Sequence, residues 1–347
     1  CVPINSQILP PDAPLNLLAE ILPPERIEEL EEMNELNMGW AVSGVGRFRI
    51  SAMRQRGSIA AVIRFISMDI PALATLSVPL ILGELVMEKR GLLLMVGATG
   101  AGKSTTMASI VDHRNQNAAG HILTIEDPIE FLFKNKRSVV NQREVGTDTQ
   151  SIQLALKNAL RQAPDVILIG EIRDRETMSA AIAYAQTGHL CLATLHANNS
   201  YQALNRILSF YPIEVRQTML GDLAAATKAI VSQRLLRTTT GARIPAVEIM
   251  LNTSLVAEMI AKGDFAGVKD AMEKSIAEGG QTFEQDIARL IVDGTVDRKE
   301  GLANSDSPTN LLWRLQNDFS ARAKPEEQFE DPDDHPSFTE ITLDVTH

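Results

Sequence analysis

The stretch Gly91-Leu-Leu-Leu-Met-Val-Gly-Ala-Thr-Gly-Ala-Gly-Lys-Ser-Thr-Thr106 decides the fold. Leu92 to Val96 is an apolar run of the length of a buried strand. Gly97 to Ser104 then satisfies G-x-x-x-x-G-K-[ST] at every fixed position, and Thr105 to Val111 continues as a helix. Strand, glycine loop and helix in that order form a phosphate-binding loop. Glycines let the backbone approach an anion closely, and the loop amides and helix N-terminus point at it. The candidate phosphate-binding set is Gly97, Ala98, Thr99, Gly100, Ala101, Gly102, Lys103, Ser104 and Thr105. Lys103 is placed to reach the β- and γ-phosphates, and the Ser104 hydroxyl to ligate Mg²⁺.

Downstream, strands and helices alternate. Helix 105–117 precedes a strand ending at Glu126, and a loop and short strand follow around 139–142. Helix 151–162, capped by Ser151, stops before Pro164. Strand 166–169 runs into Gly170-Glu-Ile-Arg-Asp174, and helix 176–186 stops at Gly188. Strand 190–194 leads into Leu195-His-Ala-Asn-Asn199, and helix 200–210 is read with Ser200 as its cap. This alternation predicts a mainly parallel sheet with its ligand at the strand carboxyl ends. Residues 214–236 are read as one long helix with Leu220, Leu223, Ala226, Ile230 and Leu235 on its apolar stripe. A strand at 247–251, a helix capped by Thr253 and a small helical bundle over 263–316 complete the core.

Before the glycine loop the pattern differs. Residues 1–19 read as a strand and loop, and 22–37 as a helix with Pro23 and Pro24 at its start. Residues 39–64 read as antiparallel strands carrying Arg47, Arg49, Arg54, Arg56 and Arg64. Domain boundaries are expected at 1–70 for an N-terminal domain, 71–90 for a linker and helix, and 91–322 for the ATPase core with its bundle. Residues 323–347 form an acidic, proline-containing tail that cannot bury enough apolar surface to order itself.

Phosphoryl transfer to water needs a phosphate cradle, a metal, a carboxylate for the water and positive charge on the γ-phosphate. Glu171 follows the strand Val166-Ile-Leu-Ile169, which is the Walker-B arrangement, and is the candidate Mg²⁺-associated acid beside Ser104. Glu126 ends another core strand and is the candidate to orient or deprotonate the water. Arg49, Arg56 and Arg64 are candidate arginine fingers, from the same chain or a neighbour. His196 is a candidate γ-phosphate sensor. Its spacing of seven from His189 across one strand makes the two no metal pair.

The composition sets limits. The chain has 347 residues, a formal net charge of −11 and 4% aromatics, which argues against a general nucleic-acid binder. Two cysteines, Cys1 and Cys191, make neither a disulfide framework nor a C-x-x-C zinc site, and fit a reducing cytoplasm. No segment approaches about 20 consecutive apolar residues, so no membrane span is expected.

Taken together, these motifs resemble the secretion ATPase superfamily, and within it the PilT/PilU group of type IV pilus retraction ATPases, most nearly its PilU type. The resemblance rests on a Walker A box at Gly97 to Ser104 and an aspartate box at Thr124-Ile-Glu-Asp-Pro-Ile-Glu130. A Walker B box lies at Pro164 to Asp174, a histidine box at Gly188 to His196, and Val140-Asn-Gln-Arg-Glu-Val145 also matches. It implies an α/β protein with a RecA-like P-loop ATPase core and an N-terminal α+β PAS-like domain, here beginning part-way in. It also implies ATP and Mg²⁺ as ligands, a homo-hexamer, and roles for Glu126, Glu171 and the arginines. The expected partners are a PilT-like retraction ATPase and an inner-membrane pilus platform protein, on the cytoplasmic face. Where PilT-type motors carry Ala-Ile-Arg-Asn-Leu, this chain has Ser254-Leu-Val-Ala-Glu258. That difference points to an accessory retraction ATPase. A regulatory ring with little turnover and a RecA-like nucleic-acid translocase are the alternatives, the latter opposed by the charge balance.

Overall fold

The computed structural model describes residues 8–66, 69–274 and 279–317. The acidic stretch 323–347 and Cys1 lie outside them. Two sheets organise the chain: a three-stranded antiparallel sheet of order β1-β2-β3, and a seven-stranded sheet of order β10-β9-β4-β8-β7-β5-β6.

The small sheet is made of β1 (Glu35–Val42), β2 (Gly46–Gln55) and β3 (Ser58–Ile66). Helices α1 (Ala13–Ile21) and α2 (Pro24–Met33) precede it. The strand expected in residues 1–19 is thus not seen in their described part, where Pro14 opens a helix instead. The helix expected over 22–37 ends at Met33, because Asn34 takes the left-handed conformation and the chain turns into β1. Strand alternation divides the sheet into two faces. Leu36, Ile50, Ala52 and Ile59 pack with Leu18, Leu22 and Leu30 of the helices. The opposite face carries Gly39, Arg47, Arg49 and Arg64, with Arg49 paired in register to Gly39 on one side and Arg64 on the other.

In the large sheet, β4 (Gly91–Val96) lies between β8 (Leu190–Leu195) and β9 (Thr227–Arg237), parallel to both. Next to β8 come β7 (Val166–Ile169), β5 (Gly120–Glu126) and β6 (Ser138–Glu144), all parallel, while β10 (Arg243–Leu251) pairs antiparallel with β9. Every residue of β4 is buried, as expected of a strand covered on both faces. One face is covered by α5 (Ile152–Ala159), α6 (Arg175–Gln186), α7 (Ser200–Ser209), α8 (Ile213–Ala226) and α9 (Ser254–Lys262). The other is covered by α3 (Ile81–Leu85) and α4 (Lys103–Asn117). Helices α10 (Ala266–Lys274), α11 (Phe283–Val292), α12 (Arg298–Asn304) and α13 (Pro308–Asn317) are the last of the described elements. Phe283, Ile287, Leu290 and Leu311 from this group pack under β10. Thr282 and Gln285 close a capping box at the start of α11.

Another expectation is overturned here. Residues 214–236 are not one helix: the chain leaves α8 at Ala226 and enters β9. Leu220, Leu223 and Ala226 are helical, whereas Ile230 and Leu235 belong to a strand buried along most of its length. The apolar residues at 229–231 and 235–236, parted by Ser232, Gln233 and Arg234, continue the helical stripe of Leu220, Leu223 and Ala226, and a strand buried on both faces has no alternation to mark it instead.

Leu94 is fully buried at the centre of β4. Leu94→Ala should destabilise the large-sheet unit by about 2–5 kcal/mol, read by chemical denaturation. Leu80→Ala, at a position 82% exposed, should stay within about 0.5 kcal/mol of the parent.

Candidate active site

Four adjacent parallel strands deliver their following residues to one edge of the large sheet. β4 leads into the glycine loop, β8 into His196, β7 into Glu171, and β5 ends at Glu126. A cavity of about 600 Å³ opens there, lined by Lys103, Ser104, Thr105, Glu126, Glu171 and His196. Arg49 and Arg64 of the small sheet line it too. A larger cavity of about 820 Å³ lies by α3 and His113, away from the glycine loop, and its walls are mainly apolar.

The glycine loop is held from behind by Gln233 of β9. Its amide nitrogen donates to Ala101 O at 2.7 Å, and its amide oxygen accepts from Thr106 Oγ1 at 2.9 Å. A side chain at Gly97 would meet the Gln233 carbonyl at 2.6 Å, and one at Gly102, where φ is +84°, would meet Gln233 Nε2 at 2.7 Å. The glycines thus serve the loop's anchoring as well as its approach to phosphate. Lys103 Nζ donates to the carbonyls of Gly97 at 2.8 Å and Ala98 at 2.9 Å. Burial pushes its ammonium below the ordinary lysine range, opposed by the nearby carboxylates of Glu171 and Glu130.

Glu126 is buried and oriented by two donors, Thr124 Oγ1 at 2.6 Å and Gln142 Nε2 at 3.2 Å. Burial raises its pKa above the usual carboxylate range, and these hydrogen bonds oppose the rise. Glu171 Oε2 accepts from Arg173 Nε at 2.8 Å, while its Oε1 lies 3.2 Å from His196 Nε2. The Walker-B turn is tied to β8 by Thr194 Oγ1, which donates to Gly170 O at 2.5 Å.

The loop after β8 is fixed at its far end. Asn199, rather than the expected Ser200, caps α7, accepting from Gln202 N at 3.0 Å. Ser200 is the first helical residue, and its hydroxyl and amide both donate to the buried Glu248 at 2.8 Å. Burial raises the pKa of Glu248 too, against donors from Ser200 and Ser232. Arg234, next to Gln233, donates to Asn198 O at 3.2 Å and pairs with Asp306.

Lys103, Ser104, Glu126, Glu171, His196, Arg49 and Arg64 are therefore brought together. Arg56 is not: it occupies the β2–β3 turn, seven residues along the strand from Arg49, and does not line the cavity. Burial pushes the Cys191 thiol up to about 12, which makes it a packing residue of β8 and not a nucleophile. Among the described residues no group of three His, Cys, Asp or Glu could hold a metal ion, and no helix is long and apolar enough to cross a membrane. Gln233, Arg234 and Glu248 were missed from sequence, the first two because β9 read as helix. Gln233 carries no distinct sequence signal: it is the middle residue of the polar triplet Ser232-Gln233-Arg234.

A family model described as Type II/IV secretion system protein matches residues 42–280. The chain is 45% identical over 316 residues to the type IV pilus ATPase PilU of Pseudomonas aeruginosa, covering 91% of this chain and 83% of that protein. It is 35% identical over 295 residues to the type IV pilus retraction ATPase PilT of the same organism, covering 85% and 86%. The crystal structure of the pilus retraction motor PilT with bound ADP matches with a TM-score of 0.81 at 38% identity, covering 88% of this chain and 87% of that one.

Gln233→Ala removes both hydrogen bonds behind the loop without touching a phosphate-contacting group. At roughly 0.5–1.5 kcal/mol for each, ADP binding should weaken on the order of ten-fold, measured by titration with a fluorescent analogue.

Proposed function

The chain belongs to the Type II/IV secretion system protein family, and from that premise we propose how its site works as a type IV pilus retraction ATPase of the PilU kind, an ATP-driven motor. The observation that carries the mechanism is the convergence of the glycine loop, Glu126, Glu171 and two arginines on one cavity.

Lys103 exchanges its two loop carbonyls for phosphate oxygens. The loop amides and the N-terminus of α4 take the remaining charge. The Ser104 hydroxyl and the Glu171 carboxylate fit a hard cation that prefers oxygen donors, and these are the groups that would hold Mg²⁺. When bound, that ion neutralises charge on the β- and γ-phosphates. Glu126 orients the attacking water and takes its proton. Its burial suits this, because a base works best when its pKa is drawn toward the operating pH. Arg49 and Arg64 place positive charge where the γ-phosphate develops it. His196, against Glu171, registers whether that phosphate is present.

The finer reading is an accessory ring acting with a PilT-like ATPase and an inner-membrane platform protein on the cytoplasmic side. It rests on Ser254 to Glu258 lacking the arginine of PilT-type motors; these residues form the first turns of α9. The small sheet with α1 and α2 is read as the PAS-like domain, hinged at 71–90.

Lys103→Ala should abolish ATP hydrolysis with the fold unchanged by circular dichroism; a wild-type rate would overturn the loop assignment. For Glu126 the sign is set by its raised pKa. Hydrolysis should fall as pH drops through that value, higher than for an ordinary carboxylate, and Glu126→Gln should both slow the reaction and erase this acid limb. Arg49→Ala combined with Arg64→Ala should slow turnover, by at most about 10³–10⁵-fold, with ADP affinity nearly unchanged.

A further inference from the structure

Arg47 of β2 lies two residues before Arg49, on the same face of the small sheet. Its Nη2 is bonded to Glu144 Oε2. Glu144 is the last residue of β6, the edge strand of the large sheet, and its register partner is Glu126. The contact is enclosed: the side chains of Arg47 and Glu144 are 15% and 3% exposed. The same Glu144 oxygen accepts the amide of Ile129 at 2.9 Å, so one carboxylate holds both the small sheet and the turn that follows Glu126. A second contact runs alongside, where Arg26 Nη2 donates to Gly146 O at 3.2 Å.

Gly39 makes room for this pair. A Cβ there would lie 2.5 Å from Arg47 Nη2 and 2.7 Å from Glu144 Oε1. Gly39 is an ordinary strand residue paired with Arg49, so its lack of a side chain answers to the ion pair and not to backbone conformation.

We propose that Arg47 and Glu144 are positioning residues for hydrolysis: their ion pair seats the small sheet on the edge of the large one and so sets Arg49 and Arg64 over the glycine loop. The strand geometry makes this obligatory. With Arg47 fixed one strand away from Glu126, Arg49 follows on the same face, and Arg64 stands opposite Arg49 on β3. Arg26 and Gly146 add a second point, which resists rotation about the first. The inference rests on the ATPase reading above.

Three variants of the chain test it. Arg47→Ala removes the pair, Arg47→Lys keeps its charge, and Gly39→Val forces the pair apart with both charges present. Each is measured for kcat, for ADP affinity, and for the distance between spin labels at the exposed positions Gln55 and Lys157. Arg47→Ala and Gly39→Val should each lower kcat at least ten-fold, leave ADP affinity within two-fold and broaden the label distance. Arg47→Lys should retain most of kcat and the parent distance. If the parent hydrolyses ATP and these variants match it in kcat, the inference is wrong. It is equally wrong if kcat falls with the distance unchanged, because the pair then acts otherwise than by seating the sheet. A parent that hydrolyses no ATP, while the distance still responds to the variants, would overturn the ATPase reading and leave the seating role standing.

Discussion

The glycine loop can keep its curl only because β4 is buried on both faces and paired along both edges. Within the loop, Ala101 N donates to Ala98 O at 3.2 Å, and Lys103 holds the carbonyls of Gly97 and Ala98. A further hold on its shape comes from β9. Gln233 closes the loop from behind through Ala101, and clasps the first turn of α4 through Thr106. With β9 displaced, the glycines would be free to adopt many conformations, at a cost in ordering entropy that phosphate binding would have to offset.

Burial does the same work for the carboxylates. Glu126 and Glu248 both sit where desolvation opposes their charge, and each is met by several donors. A buried acid with fixed donors has one orientation, which suits the water-orienting role proposed for Glu126. Glu248 has no place in the cavity. It receives the amide and hydroxyl of Ser200, the first residue of α7, and the hydroxyl of Ser232, the neighbour of Gln233. The loop bearing His196 and the strand that anchors the glycine loop thus share one buried acceptor. Arg234 adds a second tie from β9 to that loop, through Asn198 O.

The gathering of the candidate site residues was legible because each is placed locally. The glycine loop, the strand-terminal Glu126 and Glu171, and His196 each follow a short apolar strand, and a parallel sheet gathers such positions at one edge. The antiparallel strands of residues 39–64 were legible from their alternation. What failed was β9, which is buried along most of its length and shows no alternation, and with it the contacts of Gln233 and Arg234. Glu144 was visible as part of a matching motif, but its partner is 97 residues away. No pattern along the chain announces a contact between two sheets. Arg49 and Arg64 could be nominated by charge, whereas separating them from Arg56 required knowing where the hairpin turns.

The Arg47–Glu144 pair is better at fixing geometry than at supplying stability. Removing both charges from water is costly, and the repayment is incomplete here, since Arg47 Nε is buried with no hydrogen-bond partner among the described residues. On the proposed reading, seated and unseated arrangements of the small sheet then differ little in free energy. That balance is what a motor requires. A ligand moves an equilibrium only by its difference in affinity for the two states, and taking it from 1:99 to 99:1 needs about 5.5 kcal/mol. Two arginines facing a γ-phosphate can shift the sheet between its two arrangements only if the latch itself does not already hold it shut. A strongly stabilising latch would keep Arg49 and Arg64 in place after hydrolysis, and cleavage of the phosphate would then move nothing.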